Sequence, residues 1–175
     1  SWESSIEFAQ LDDPRAHELK AFFLANQPAQ VTASVVHGDY YLHNCLFSEA
    51  SKVSAVLDWE LATLGDPLAD LGYTLRAWPE IDDDPFLEPT APTAVSGLPL
   101  RGELAQRYSE RTGFPVDLLD YYVGFNHWKT AAILHGVYAR YLAGQKSSEG
   151  VDLEALKDGI LKGLAGTERA ILRLQ

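Results

Sequence analysis

The most restrictive feature of the sequence is a polar run set between short β-prone segments. Residues 31–36 are rich in β-branched side chains and lead into the polar run 37–44. Residues 45–47 follow at once, and a further β-prone segment, 53–57, ends at Asp58. Apolar, β-branched segments separated by a few polar residues are typical of a β-hairpin. We therefore expect an antiparallel hairpin that returns Asp58 to the end of the polar run.

Three polar residues in this region have the spacing of a phosphoryl-transfer site. Asp39 lies five positions before Asn44, and Asp58 follows fourteen positions after Asn44. In such sites one carboxylate orients the attacking hydroxyl, while an amide oxygen and a second carboxylate hold magnesium against the phosphates of ATP. The structural alternative is a polar turn between two strands, with an aspartate that only caps a loop.

Four short motifs extend this pattern. They are H-G-D-x-x-x-x-N at 37–44, D-W-E at 58–60, G-D-P at 65–67 and D-L at 70–71. Protein kinases share the same Asp-to-Asn step in their H-R-D-x-x-x-x-N signature. Together the motifs resemble the aminoglycoside phosphotransferase family, small-molecule kinases with a protein-kinase-like fold. The stretch 58–73 is particularly similar to the branch of that family associated with acyl-CoA dehydrogenase-like proteins.

The resemblance implies a catalytic residue and two cofactor ligands. Asp39 would accept or orient the proton of a substrate hydroxyl. Asn44 and Asp58 would bind Mg²⁺ and, through it, the phosphates of ATP or GTP. The implied activity is transfer of the γ-phosphate to a hydroxyl of a small molecule, either an aminoglycoside-like compound or another metabolite.

Three further motif residues are expected to be structural. His37 would brace the catalytic loop without transferring a proton. Asp66 precedes Pro67 and would cap a helix of which Pro67 is the first residue. Asp70, one turn later, would hydrogen-bond back to the catalytic loop. His43 is expected to point away from the metal.

The implied fold class is α+β. It is the mostly helical C-terminal lobe of a protein-kinase-like fold, with a small β-hairpin that carries the catalytic and metal-binding loops. Apolar periodicity and caps predict further helices in four segments: 14 to about 26, 100–112, 117–143 and 152 to about 174. The proline-rich segment 80–99, with the acidic residues 82–84, is expected to be a loop.

The N-terminal nucleotide lobe of such a kinase is expected to be absent. Only 36 residues precede His37, and they contain neither a glycine-rich loop nor a lysine in a strand pattern. Lys20, the one lysine among them, lies in a helical pattern. We expect residues 1–175 to form a single domain, because no linker interrupts them. The chain would then be a fragment, a dissected lobe or a degenerate relative.

Composition excludes several classes of partner. A net charge of −11 disfavours nucleic acid, whose phosphates need a basic surface. No apolar run reaches the length of about 20 residues that crosses a membrane. With Cys45 as its single cysteine, the chain cannot form an internal disulfide. These features favour a cytoplasmic protein that acts on a small molecule.

Two alternative functions stay open at this point. A catalytically inactive nucleotide-binding or pseudokinase lobe would keep the same architecture without turnover. A metal-dependent hydrolase could instead use His37, Asp39 and Asp58 as metal ligands, and would be expected to hold zinc or manganese rather than magnesium.

Overall fold

The computed structural model describes residues 11–30, 32–50, 52–78 and 97–175. These residues form two compact units: one contains the described residues up to Gln27 together with Gly124–Gln175, and the other is Pro28–Val123. The assignment of a single domain stays a prediction. The predicted loop 80–99, with its acidic residues 82–84, lies largely outside the described residues.

Five helices and four strands make up the described part of the chain. In chain order they are α1 (Pro14–Ala25), β1 (Ser34–Val36), β2 (Cys45–Phe47), β3 (Val53–Val56), β4 (Thr63–Gly65), α2 (Leu68–Leu75), α3 (Arg101–Thr112), α4 (Leu119–Leu142) and α5 (Leu153–Leu172). One 3₁₀ turn, Leu42–Asn44, ends the polar run, and another, Trp59–Leu61, follows Asp58. The α+β class is confirmed, as are the four predicted helices outside the motif region, whose ends fall within about two residues of the predicted ones.

Two small antiparallel sheets frame the motif region. β2 and β3 form the predicted hairpin, with Cys45 opposite Val56. β1 pairs with β4, and Val35 lies opposite Leu64. The sequence analysis does not predict β4, because a three-residue strand is too short to show an alternating pattern. The two sheets place the polar run between β1 and β2, and Asp58 between β3 and β4.

Helix α2 begins one residue later than predicted, at Leu68. The Asp66 carboxylate nevertheless accepts a hydrogen bond of 2.9 Å from the Leu68 N–H, which satisfies one of the free donors at the start of the helix. Leu68 and Leu75 are buried on its inner face. At Gly72 a Cβ would lie only 2.6 Å from Cβ of Tyr122, so α2 packs closely against the first turn of α4 at this point.

The other unit is a helical core built by α1, α5 and the larger part of α4. Asp13 caps α1 by accepting a 3.0 Å hydrogen bond from the Arg15 N–H, and Asp152 caps α5 through the Ala155 N–H. The buried core joins all three helices and consists of Ala16, Leu19, Ala131, Ile160 and Leu164. Among the residues that the structure describes, no helix combines the length and apolar composition needed to span a bilayer.

Candidate functional site

His37 is the buried centre of the polar loop. Its Nε2–H donates to the carbonyl oxygen of Leu57 at 2.7 Å, and its Nδ1 accepts from the N–H of Asp39 at 3.2 Å. A carbonyl only accepts and a backbone N–H only donates, so the ring carries its proton on Nε2 and is neutral. Both ring nitrogens are therefore engaged inside the fold, in bonds that tie the loop to the end of the hairpin.

Leu57 connects the loop to Asp58 through both of its backbone groups. Its N–H donates to the carbonyl oxygen of Asn44 at 2.8 Å, while its own carbonyl accepts from His37. Asp58 is the next residue in the chain. The hairpin thus returns Asp58 to the polar loop, as the sequence analysis predicts.

Asp39 lies in the loop with its carboxylate held by neighbouring donors. Asn44 Nδ2 donates to Asp39 Oδ2 at 3.0 Å and to the Asp39 carbonyl oxygen at 2.8 Å. Burial works to raise the pKa of the Asp39 carboxyl. The hydrogen bonds from Tyr73 and Asn44, with the nearby imidazole of His43, outweigh burial and hold this pKa below its ordinary value. Asp39 is therefore a carboxylate at neutral pH.

His43 lies on the same side of the loop as the Asp39 side chain. Its Nε2 is 3.6 Å from Asp39 Oδ2, and its own side chain is largely exposed. The imidazole thus faces the Asp39 carboxylate, while the expectation that His43 points away from the metal stays a prediction. The 3₁₀ turn Leu42–Asn44, which contains His43 and follows Asp39 closely in the chain, brings these side chains together.

Asn44 is buried and has one oxygen left to offer. Its amide nitrogen is used twice on Asp39, so the side-chain oxygen Oδ1 is the atom available to a further partner. Because only the nitrogen end is engaged, the orientation of the amide is fixed by Asp39. Asn44 therefore links the carboxylate of Asp39 to any ligand held at Oδ1.

Asp58 adopts a left-handed backbone conformation, with φ 65° and ψ 56°. It is the sole described non-glycine residue with positive φ, and such conformations concentrate at functional sites. Its side chain is exposed. Trp59 secures the following turn: its Nε1–H donates to the Val56 carbonyl at 2.9 Å, and its ring lies 4.7 Å from the His37 ring.

Asn44 Oδ1 and the Asp58 carboxylate are the hard oxygen ligands that Mg²⁺ prefers. The described residues include no cluster of three or more His, Cys, Asp or Glu side chains suited to a metal ion. A magnesium site at a phosphate does not need such a cluster, because phosphate and water supply the other ligands of the ion. One amide and one carboxylate from the protein are consistent with a site of this kind. The donor chemistry of the two residues therefore fits a magnesium ion that arrives with a nucleotide.

Helix α2 holds the loop through one of its faces. The Asp70 carboxylate accepts from the N–H groups of His37 and Gly38 at 2.5 and 2.8 Å. Thr74 Oγ1 donates to the Tyr40 carbonyl at 2.6 Å. The hydrogen bonds expected of Asp70 are thus present in the structure.

The sequence analysis identifies neither Tyr73 nor Thr74 as part of this site. Residues 70, 73 and 74 have the i, i+3, i+4 spacing of one helical face. That spacing, anchored on Asp70, is the signal from which both residues could have been found.

The model of the phosphotransferase enzyme family matches residues 3–101, more than half of the 175 residues. The chain belongs to this phosphotransferase family. The family resemblance predicted from the motifs is thereby confirmed, and with it a small-molecule phosphotransferase assignment at the level of the family.

Relatives of this chain carry acyl-CoA dehydrogenase names. Acyl-CoA dehydrogenase family member 10 of Mus musculus is 37% identical over 153 residues, which cover 85% of this chain and 14% of that protein. Acyl-CoA dehydrogenase family member 11 of Homo sapiens is 34% identical over 156 residues, covering 85% of this chain and 20% of that protein. The chain thus spans a fifth or less of the length of these relatives.

A solved structure shares the fold. The crystal structure of a protein from Ralstonia eutropha, provisionally named an aminoglycoside phosphotransferase, matches with a TM-score of 0.72 and 27% identity. The match covers 96% of this chain and 53% of that one. It confirms the kinase-like helical lobe. The individual roles of Asp39, Asn44 and Asp58 stay predictions.

Proposed function

We propose that this phosphotransferase uses ATP or GTP with Mg²⁺ to transfer the γ-phosphate to a hydroxyl of a small molecule. The observation that carries the proposal is the backbone link through Leu57, which joins the loop of Asp39 and Asn44 to Asp58. Three polar residues from two segments of the chain are thereby gathered at one end of a hairpin. Phosphoryl transfer relies mainly on such positioning and on charge neutralisation.

Asp39 is the residue proposed to receive the acceptor. Its carboxylate is ionised at neutral pH and can accept a hydrogen bond from the acceptor hydroxyl, which orients the oxygen for attack and takes up its proton. Asn44 fixes one carboxylate oxygen of Asp39.

Asn44 Oδ1 and the Asp58 carboxylate are proposed to hold the magnesium ion. When bound, the ion neutralises charge on the transferred phosphate. Since Asn44 also holds Asp39, the acceptor side and the phosphate side of the reaction share one buried amide. Asp58, in its left-handed backbone conformation, carries its carboxylate at the open end of the hairpin.

We propose two candidate classes of compound as the phosphate acceptor. Relatives are named for acyl-CoA dehydrogenases and the matching crystal structure for aminoglycosides. Hydroxylated acyl compounds and aminoglycosides are therefore the first acceptors to assay. We further propose that the protein acts in the cytoplasm. We also propose that its activity requires the region that accompanies this segment in the longer relatives.

The hydrogen bonds of His37 distinguish the proposed kinase-type site from the site of a metal-dependent hydrolase. Its Nε2 carries a proton that is donated to Leu57, and its Nδ1 accepts from Asp39. A metal would have to displace one of these buried hydrogen bonds to reach the imidazole. This argues for the kinase-type site and against the hydrolase-type site.

The test is steady-state phosphotransfer by the full-length protein, with its Asp39→Ala variant. We expect the variant to lose turnover by at least about a hundredfold, the scale of general-base catalysis, while Mg²⁺–nucleotide affinity is retained. Asp117, an exposed aspartate, supplies the matched control, and Asp117→Ala should turn over normally. Equal turnover by Asp39→Ala and the wild type would overturn the proposal. A wild type without any turnover that still binds nucleotide would favour the pseudokinase lobe.

A further inference from the structure

We propose that Arg76 binds an anionic group of the phosphate acceptor, so that the acceptor is a hydroxyl compound that also carries a carboxylate or a phosphate. This inference rests on the proposed function, because it names the class of acceptor for the site at Asp39. Arg76 is the residue that ends α2. Thr74, two residues earlier, joins this end of the helix to the loop by donating to the Tyr40 carbonyl at 2.6 Å.

Arg76 lies beside the part of the loop that follows Asp39. Its guanidinium carbon is 6.0 Å from the centre of the Tyr41 ring. The centre of the Tyr41 ring is 5.4 Å from that of the His43 ring, and His43 Nε2 is 3.6 Å from Asp39 Oδ2. A continuous series of side-chain contacts therefore connects the guanidinium to the carboxylate that is proposed to receive the acceptor hydroxyl.

The positive charge of Arg76 is not neutralised by a carboxylate in the part of the chain that the structure describes. Its Nε is buried and has no hydrogen-bond partner among the same residues. The residue as a whole keeps part of its surface exposed. A buried donor or charge without a partner lowers the stability of a fold. The guanidinium is therefore suited to an anion that reaches it from solvent.

Two tyrosine rings hold the guanidinium in place. Its central carbon lies 4.3 Å from the centre of the Tyr73 ring and 6.0 Å from that of Tyr41, which is the range of cation–π contacts. An arginine held by ring faces can still present its planar fork of N–H donors to a carboxylate or phosphate, which accepts two parallel hydrogen bonds from it. The rings thus fix the position of the cation before an anion binds.

Charge distinguishes the two candidate classes of acceptor. The chain carries a net charge of −11, so an anionic acceptor needs a local cation at the place where it binds. Arg76 supplies that cation beside the loop. The same charge would repel the ammonium groups of an aminoglycoside. A hydroxylated compound with an acidic group fits this arrangement better than an aminoglycoside does.

The experiment measures phosphotransfer by the full-length protein to pairs of acceptors that differ in one anionic group. The pairs are hydroxybutyrate with hydroxybutanamide, and glycerol phosphate with glycerol; kanamycin represents the cationic class. We expect the wild type to prefer at least one anionic acceptor to its neutral partner by about tenfold or more in kcat/KM, the effect of a hydrogen bond between charged groups. Kanamycin should be the poorer acceptor.

Arg76→Gln removes the charge and should raise KM for the preferred anionic acceptor by about tenfold or more, while KM for the neutral partner and for the Mg²⁺–nucleotide stays within about twofold. Arg76→Lys keeps the charge without the planar fork, so its KM for the anionic acceptor should lie between those of Arg76→Gln and the wild type. Arg111→Gln is the matched control: this exposed arginine of the same unit should behave as the wild type.

Calorimetric titration of the anionic acceptors gives a readout that does not depend on turnover, and their affinity should fall in Arg76→Gln by the same factor as KM rises. Equal affinity in Arg76→Gln and the wild type, or a wild type without preference for either anionic acceptor, would overturn the proposal. A rise in KM for the Mg²⁺–nucleotide alone would also overturn it, since the anion would then be a nucleotide phosphate. Anion binding that requires Arg76, in a wild type that transfers no phosphate, would support the anion site and overturn the proposed function.

Discussion

Replacing Asp70 by Asn tests how firmly α2 holds the catalytic loop. The Asp70 carboxylate accepts from two successive N–H groups, those of His37 and Gly38, with one oxygen for each. An asparagine has one oxygen, so one N–H loses its acceptor and faces an NH₂ group instead. Hydrogen bonds to a charged group contribute about 1.5–3 kcal/mol each, and the surviving bond becomes a weaker neutral one. We expect Asp70→Asn to lower the free energy of unfolding by about 2–4 kcal/mol.

Urea unfolding of the purified chain, followed by tryptophan fluorescence, measures this loss. With a slope of about 2 kcal/mol per molar urea, the middle of the usual range, the midpoint should fall by about 1–2 M while the slope is unchanged. Asp117→Asn is the matched control: this exposed aspartate should shift stability by no more than about 0.5 kcal/mol. A midpoint for Asp70→Asn equal to that of the control would show that the two short contacts do not anchor the loop.

Two further predictions concern packing and pH. Gly72→Ala would place a Cβ 2.6 Å from Cβ of Tyr122, and such overpacking should cost about 1–3 kcal/mol in the same urea assay; a variant as stable as the wild type would show that α2 can move away. The side-chain hydrogen bond from Arg15 is the largest cause of a lowered pKa at Asp13, ordinarily 3.8, outweighing burial. Because the unfolded state then binds a proton more readily than the folded state, the stability that Asp13 contributes is present above pH 3.8 and is lost as pH falls through the lower folded pKa. Unfolding midpoints measured from pH 5 down to pH 2 should fall less steeply for Asp13→Asn than for the wild type; identical slopes would contradict this assignment.

Features set by neighbouring residues could be predicted from the sequence. The helix starts at Asp13 and Asp152 follow from a capping side chain placed directly before an apolar repeat. The β2–β3 hairpin follows from two β-prone segments joined by a short polar stretch. The motif spacing located Asp39 and Asn44 on one loop. In each case the pattern that decides the structure lies within a few residues.

Features that depend on contacts distant in sequence could not be predicted. The pairing of β1 with β4 places Val35 opposite Leu64, and the local sequence of neither strand predicts which strand it pairs with. The hydrogen bond from Thr74 to the Tyr40 carbonyl exists only because α2 folds back onto the loop. The left-handed conformation of Asp58 likewise arises where the chain leaves one sheet and enters the other.

Calorimetry tests the proposed magnesium–nucleotide site at Asp58 and Asn44 most directly. ATP would be titrated into the full-length protein with and without Mg²⁺, and into its Asp58→Ala and Asp117→Ala variants. We expect binding that requires Mg²⁺, that is unchanged in Asp117→Ala and that weakens about tenfold or more in Asp58→Ala, since even outer-shell changes at metal sites have effects of that size. Binding of equal strength without Mg²⁺, or equal affinity in Asp58→Ala and the wild type, would contradict a magnesium–nucleotide site at these residues.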